Sequence, residues 1–276
     1  MLSTTTQLLR LSQGQLNLLE ACPRKFQHTY LEKLSSPLDP EHEERQTLGS
    51  RFHLLMQQRE MGLPIDSLLQ VDAQLQKWMS AFGNAAPEVL TLATNNQTFR
   101  ESEHYRTLQV QDYLLTVIYD LLIADNQQAQ ILDWKTYPKP PNKSKLAKNW
   151  QTRLYMYVLA ETSEYLPEKI SMTYWFVQSE GRPQSIRFNY NAVQHEHTAR
   201  KLNQLLSKLT NWLELYQNNE QFPQVMETSK ACNYCQFATR CERQQATEQD
   251  ISDDNHLSVN STSLLPNLAN IQEVSL

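Results

Sequence analysis

The spacing of hydrophobic and polar positions changes twice along the chain. In "LSQGQLNLLEACPRKFQHTYLEK", Leu16, Leu19, Phe26 and Tyr30 recur at roughly helical intervals, and Ser12 and Gln15 have capping-box spacing. Pro23 is expected to interrupt or restart that helix beside Cys22. "RQTLGSRFHLLMQQREMG" predicts a second helix and "IDSLLQVDAQLQKWMSAFG" a third. The period then shortens. "YRTLQVQDYLLTVIYDLLIAD", a turn at "DNQQ" and "AQILDWKTY" are rich in Tyr, Val, Ile and Leu and predict consecutive strands. The prolines of "PKPPNKSK" predict a loop, and "NWQTRLYMYVLAET" returns to helix. "ISMTYWFVQ" and "QSIRFNY" predict a hairpin across "SEGRP", followed by one long helix from Ala192 to Gln217. No internal repeat is present, and the order predicts a mixed α/β fold.

Composition narrows the class. A chain of 276 residues, 40% apolar and 20% charged, can bury a sizeable core, and five glycines fit a helix-rich protein. The opening "MLSTTTQLLRLSQGQL" has no signal-peptide pattern, and no eighteen apolar residues run together. The expectation is a soluble cytoplasmic protein with no membrane partner, where spaced cysteines more often hold metal than form disulfides. The net charge of −5 argues mildly against nucleic acid, but it is unevenly spread. Lys135, Lys139, Lys143, Lys145, Lys148 and Arg153 carry no acid among them, and such a stretch attracts a phosphate backbone. After Arg243 there is no Lys, Arg or aromatic residue, while Glu248, Asp250, Asp253, Asp254 and Glu273 are acidic. That tail is expected to be disordered.

Strand periodicity puts Asp133 and Lys135 of "ILDWKTY" on one face and Leu132 and Trp134 on the other. Alone, such a pair is ordinarily a surface ion pair. Asp120 ends the apolar segment "LTVIYD", where a carboxylate requires compensation. Asp120 and Asp133 on neighbouring strands, converging on Mg²⁺ or Mn²⁺, would supply it. Lys135 then orients water or supports charge on a scissile phosphate. Gln151 and Tyr155 lie four apart on one helical face and offer hydrogen bonds to phosphate or base, although each alone is ordinarily a half-buried helix position. His53, four residues after Gly49, is by itself ordinarily structural, and His195 and His197 lie on a polar stretch that reads as solvated. Cys232, Cys235 and Cys241 have Cys-x2-Cys-x5-Cys spacing, and Cys22 is the remaining cysteine. Four thiolates suit Zn²⁺ or an iron–sulfur cluster, with zinc the ordinary reading of the ligands alone.

Taken in order, Gly49-x-x-x-His53, Asp120, Asp133-x-Lys135 and Gln151-x-x-x-Tyr155 resemble a PD-(D/E)XK nuclease of the RecB-like branch, over about Leu11 to Arg243. Relatives include AddB-type and CRISPR-associated exonucleases, and the opening with its Cys-Pro-x-x-Phe is similar as well. The resemblance implies that Asp120, Asp133, the Trp134 carbonyl and His53 bind metal. It makes Lys135 the catalytic lysine, turns Gln151 and Tyr155 toward substrate, and gives Glu101 or Glu103 as a further acid. It also implies a [4Fe–4S] cluster on Cys22, Cys232, Cys235 and Cys241, with Zn²⁺ as the rival. The family commonly has Gly three residues before the first Asp, where Val117 stands and is expected to crowd the substrate.

The implied activity is metal-dependent hydrolysis of single-stranded DNA or DNA ends, exonucleolytic more than endonucleolytic, beside a separate helicase or recombination partner. Lys139, Lys143, Lys145, Lys148 and Arg153 would meet DNA. The expected segments are a helical region 1–100, a nuclease core 101–220, a cysteine segment 221–245 and an acidic tail 246–276. Alternatives are a non-catalytic DNA-binding scaffold and a zinc-stabilised structural protein.

Overall fold

The computed structural model describes residues 8–35, 40–91, 98–138, 140–179 and 182–243. Contacts divide the chain into two units, Met1–Gln13 with Leu38–Asn203, and Gly14–Pro37 with Gln204–Leu276. The acidic tail and Lys139 lie outside the described residues. Among the described residues, no helix is long and apolar enough to cross a membrane.

The first unit is a mixed sheet with helices packed on it. Its strands are β1 (Leu9–Leu11), β2 (Phe99–Val110), β3 (Tyr113–Ala124), β4 (Ala129–Lys135), β5 (Ile170–Phe176) and β6 (Gln184–Asn189). β2 and β3 form a hairpin whose two-residue turn takes Gln111 to φ 54°, the left-handed conformation that such turns demand. β3 also pairs antiparallel with β4, β4 parallel with β5, and β5 antiparallel with β6. The parallel pair requires a crossover, made by α7 (Lys143–Lys148) and α8 (Trp150–Glu161).

The other edge of β3 is shared. β1 takes Tyr113–Leu115, β4 takes Leu121–Ala124, and the intervening stretch up to Asp120 is left out of both ladders. One sheet face is covered by α3 (Pro40–Glu60) and α5 (Ala73–Ala85). There Phe52, Leu55, Met56, Trp78 and Phe82 pack with Leu121, Leu132 and Trp134. Tyr119 engages α8, its hydroxyl donating to the Tyr155 carbonyl at 3.0 Å, while its strand neighbour Leu121 joins the α3/α5 core. Residues two apart in a regular strand share a face. The alternation therefore slips at Asp120.

Four expectations are corrected. The third helix is two, α4 (Asp66–Val71) and α5, because Asp72 is extended and its carboxylate accepts from the Gln74 and Leu75 N–H groups, both at 3.0 Å. The first central strand begins at Phe99, not Tyr105, since β2 pairs with β3 as far as Phe99 and Ala124 although none of its residues is fully buried. The proline loop gives way to α7 at Lys143, where the Asn142 side chain accepts from Ser144 N–H at 2.8 Å. His195 is half-buried, paired with Glu161 at 2.8 Å and stacked on Tyr157, whereas His197 is exposed.

The second unit joins two distant segments. Its amino-terminal part holds most of α1 (Gln13–Ala21), then α2 (Pro23–Phe26) and a wide helical turn over Gln27–Leu31. Cys22 is extended and Pro23 takes the first helical position, where its missing N–H costs nothing. The carboxy-terminal part holds the end of α9 (Ala192–Gln217) and the cysteine segment, with short turns at Lys230–Cys232 and Thr239–Cys241.

Phe222 is the junction. Its ring stacks on Phe26 and meets Trp212 and Tyr216. Its N–H donates to Gln27 Oε1 at 2.6 Å, and its carbonyl accepts from Arg24 Nε at 2.7 Å. Arg24 N–H donates to the Pro223 carbonyl at 3.2 Å. Peptide groups and aromatic rings thus tie the two segments together.

Candidate active site

The slip in β3 is where the charged residues meet. In register with Asp120 on β2 stands Glu103, whose φ of 50° costs about 1–2 kcal/mol for an L side chain. On the other side the β3–β4 ladder ends at Leu121–Leu132, and the Trp134 N–H turns to Asp120 Oδ2 at 2.6 Å. A carboxylate has replaced a strand partner. α3 brings His53 over the gap, with Nδ1 3.4 Å from Asp120 Oδ1 and Nε2 3.1 Å from the Trp134 carbonyl. One ligand atom each from His53, Glu103 and Asp120 lies within 4.8 Å of the other two, a set able to hold a metal ion.

Gly49 explains how α3 comes so close. A Cβ there would lie 2.8 Å from Thr136 Oγ1, just beyond β4, one helical turn before His53. The Gly-x-x-x-His spacing thus has a steric reason.

Asp133 and Lys135 share a face as the strand period requires. Asp133, 1% exposed, forms an ion pair with Lys135 Nζ at 2.8 Å through one oxygen and accepts from Gln151 Nε2 at 2.6 Å on the other. Gln151 is aimed by its position in the first turn of α8, where Asn149 caps the Gln151 N–H at 2.8 Å. Lys135 also sits 5.6 Å from the Tyr174 ring centroid. Burial opposes charge on His53, but the Asp120 carboxylate, with Asp133 behind it, outweighs burial and Lys135 repulsion and pushes His53 up to about 9. Burial likewise opposes charge on Asp120, and His53, Lys135 and the Trp134 N–H together hold it below the usual carboxylate range.

The structure therefore gathers His53, Asp120, Asp133, the Trp134 carbonyl, Lys135 and Gln151, and adds Glu103. Glu101 instead pairs with His104 at 2.7 Å. The sequence left these two acids undecided, and only the left-handed backbone at 103 separates them. Tyr155 is 2% exposed and packs edge-on against Tyr119. Lys143, Lys145 and Lys148 are exposed on and beside α7, with Lys143 over the Phe188 ring, while Arg153 lies half-buried over Trp150.

The four cysteines all fall in the second unit, each partly buried and free. Burial pushes the Cys241 thiol up, Arg24 opposes this, and Cys235, Cys22 and Cys232 add to it. Cys232 behaves alike, with Arg243 opposing and Cys22 and Cys235 adding. The thiols are electrostatic neighbours, including the one 210 residues from the next in sequence.

Residues 10–242 match the family model of the PD-(D/E)XK nuclease superfamily. The chain belongs to that superfamily. Among solved structures, a protein of Eubacterium rectale assigned as an exonuclease aligns over 81% of this chain and 86% of its own, at 10% identity and TM-score 0.50. The structure of SSO0001 aligns over 87% of this chain and 89% of its own, at 16% identity and TM-score 0.38. No curated protein matches the sequence.

PD-(D/E)XK nucleases generally use Mg²⁺ or Mn²⁺. The donor set here, an imidazole with carboxylate and carbonyl oxygens, fits either ion, because hard oxygen ligands dominate it. Val117 stands three residues before Asp120. Its side chain is fully buried within β3, so it fills core and does not narrow an open cleft.

Proposed function

We propose that this PD-(D/E)XK protein is a metal-dependent deoxyribonuclease stabilised by a [4Fe–4S] cluster. The observation that carries the nuclease reading is the convergence of His53, Glu103, Asp120 and the Trp134 carbonyl beside the buried Asp133–Lys135–Gln151 group. His53, Asp120, Asp133 and the Trp134 carbonyl would hold the divalent ion, with Glu103 as a further ligand. The ion supplies Lewis-acid stabilisation of the charge on a scissile phosphate.

The chain's own groups do the rest. Lys135, locked on Asp133 and Tyr174, places a positive charge where the attacking water and the phosphate oxygens meet. Gln151 fixes the Asp133 carboxylate by holding its second oxygen, so the acid keeps one orientation. The lysines at 139, 143, 145 and 148, with Arg153, draw in the DNA backbone. The substrate is single-stranded DNA or DNA ends, cut exonucleolytically, with a separate helicase or recombination protein supplying the strand.

Cys22, Cys232, Cys235 and Cys241 would hold the cluster. Zn²⁺ is the rival, since four thiolates suit both. The shared electrostatic neighbourhood of the thiols supports a four-cysteine centre of either kind.

The test is an anaerobic preparation assayed on labelled linear and circular DNA, single- and double-stranded, with Mg²⁺, Mn²⁺ or EDTA. Cleavage of linear single strands with either ion, lost in EDTA and in Asp133→Asn, is expected. Activity equal to that of Asp133→Asn on every substrate would end the nuclease reading. About four irons and four sulfides per chain are expected, and one zinc with neither would replace the cluster.

A further inference from the structure

The second unit contains a polar relay that neither the nuclease site nor the cysteine spacing accounts for. His28 lies on the wide turn after α2 and is 2% exposed. Its Nδ1 is 2.7 Å from Glu32 Oε2, so Nδ1–H donates to the carboxylate. Its Nε2 edge is 3.8 Å from Cys241 Sγ, within hydrogen-bonding reach of sulfur. Glu32 is itself fixed from two further sides, by Gln27 Nε2 at 2.6 Å and by Arg240 at 3.7 Å. The His28 ring also packs against Phe237, 5.1 Å between centroids.

A histidine buried only for packing has no need to align one nitrogen with a carboxylate four residues away and the other with a sulfur 213 residues away. The chemistry resembles the outer support of a metal ligand. Such a support orients the ligand and adjusts its electron density, and its loss commonly costs 10- to 100-fold in metal affinity. The potential of an iron–sulfur centre is further set by hydrogen bonds to its sulfurs.

The geometry points to a Glu32–His28–Cys241 relay in which His28 is a positioning residue for the four-cysteine centre, holding the Cys241 sulfur in place and setting the reduction potential of the bound cluster. This rests on the cluster reading proposed above, although the positioning role applies to any metal the four thiolates hold. Cys241 closes the C-x2-C-x5-C segment, beyond the tight Cys232–Cys235 turn. His28 ties it to the same segment that supplies Cys22.

With both ring nitrogens protonated, His28 donates to Glu32 and to the Cys241 sulfur at once. A hydrogen bond to sulfur favours the more negative, reduced cluster, so removing the donor lowers the potential. His28→Phe keeps a ring against Phe237 and removes both polar links. His28→Gln keeps a side-chain donor, and Glu32→Gln weakens the hold on the ring without emptying the site. The full-length protein, loaded anaerobically, is titrated with dithionite and followed by optical and EPR spectra. Metal release to a chelator is timed in parallel, and iron and zinc are counted in each preparation.

The expected result for His28→Phe is at least a tenfold shift of the one-electron equilibrium toward the oxidised cluster, about 59 mV for one electron. Release of metal should quicken about tenfold or more. His28→Gln should recover part of both, and Glu32→Gln should fall between. A wild-type cluster whose potential and release rate are unchanged in His28→Phe would overturn the relay and leave the cluster standing. A wild-type protein holding zinc, released faster from His28→Phe, would overturn the cluster and keep the relay. A wild-type protein holding no metal would overturn both. Lower thermal stability with unchanged potential and release would reduce His28 to packing.

Discussion

Replacing Lys135 with methionine should do more than stop catalysis. Asp133 is 1% exposed, and its positive partner is Lys135 Nζ at 2.8 Å, itself largely buried at 13%. Lys135→Met removes that cation while roughly preserving the stem volume, so the loss is electrostatic and not a cavity. Breaking one side of a buried ion pair costs about 3–5 kcal/mol, because the remaining charge is left uncompensated. Gln151 still donates to the other carboxylate oxygen, which places the expected loss near the lower bound, about 3 kcal/mol. Asp133→Asn should cost less, since a released lysine can swing its ammonium toward water.

The assay is urea unfolding of the metal-free protein in EDTA, for both single variants and the double variant. The double should be more stable than the sum of the single losses predicts, by about 2 kcal/mol or more, as residues in direct contact couple. Saturating Mg²⁺ should stabilise Lys135→Met more than the wild type, because a bound cation supplies the missing positive charge and binding to the native state raises its stability. Cleavage should remain abolished. A loss under about 1 kcal/mol in Lys135→Met, or strict additivity, would refute a buried pair that waits for metal.

Three further outcomes follow from the same contacts. Gln27→Ala leaves the buried Phe222 N–H without its acceptor and removes a donor from Glu32, so unfolding should be easier by about 2–4 kcal/mol, with faster amide exchange at Phe222. Replacing Lys143, Lys145 and Lys148 with serine should weaken single-strand binding and flatten the salt dependence by up to about 2 log units per log unit of salt, with little effect on turnover at saturation; an unchanged slope would mean that these lysines face solvent only. His53, pushed up to about 9 from an ordinary 6.5, contributes stability that is fully present below pH 6.5 and is lost as pH rises through 9; urea midpoints in EDTA should fall across that window, and fall less steeply in His53→Gln.

Much of the fold was readable because long segments had one dominant period. α9 runs over the expected Ala192–Gln217, and the alternation of "ILDWKTY" correctly put Asp133 with Lys135. Two of the failures share a cause, which is that a single polar group overrode the local pattern. Asp72 splits a continuous apolar stripe because its carboxylate caps the second half better than a helix could use it. Asn142 starts α7 inside a segment dominated by proline. β1 is three residues long and has too few positions to show any period.

The site was legible as a set of residue types but not as a geometry. Nothing in "FRESEH" distinguishes Glu101 from Glu103, since the choice depends on one residue adopting a left-handed φ opposite Asp120. Tyr155 has the expected helical spacing from Gln151, yet burial against Tyr119 was invisible because both residues belong to apolar patterns on separate elements.

The same logic changes what the cysteines are for. A metal held by Cys22 together with Cys232, Cys235 and Cys241 would join two distant parts of the chain. Arg24, Gln27, Phe26 and Phe222 already make that junction, with three hydrogen bonds between peptide or side-chain groups and a stacked ring pair. A metal bound by the four cysteines would meet a frame already joined by these contacts, so less ordering entropy would be lost on binding. Cys22→Ala should then empty the centre as severely as Cys235→Ala while leaving much of the second unit folded. Conversely, Gln27→Ala should loosen the junction even when the metal is present. If Cys22→Ala unfolded the second unit as completely as removal of Phe222 and Gln27 together, the junction would depend on the metal and the frame would not be preformed.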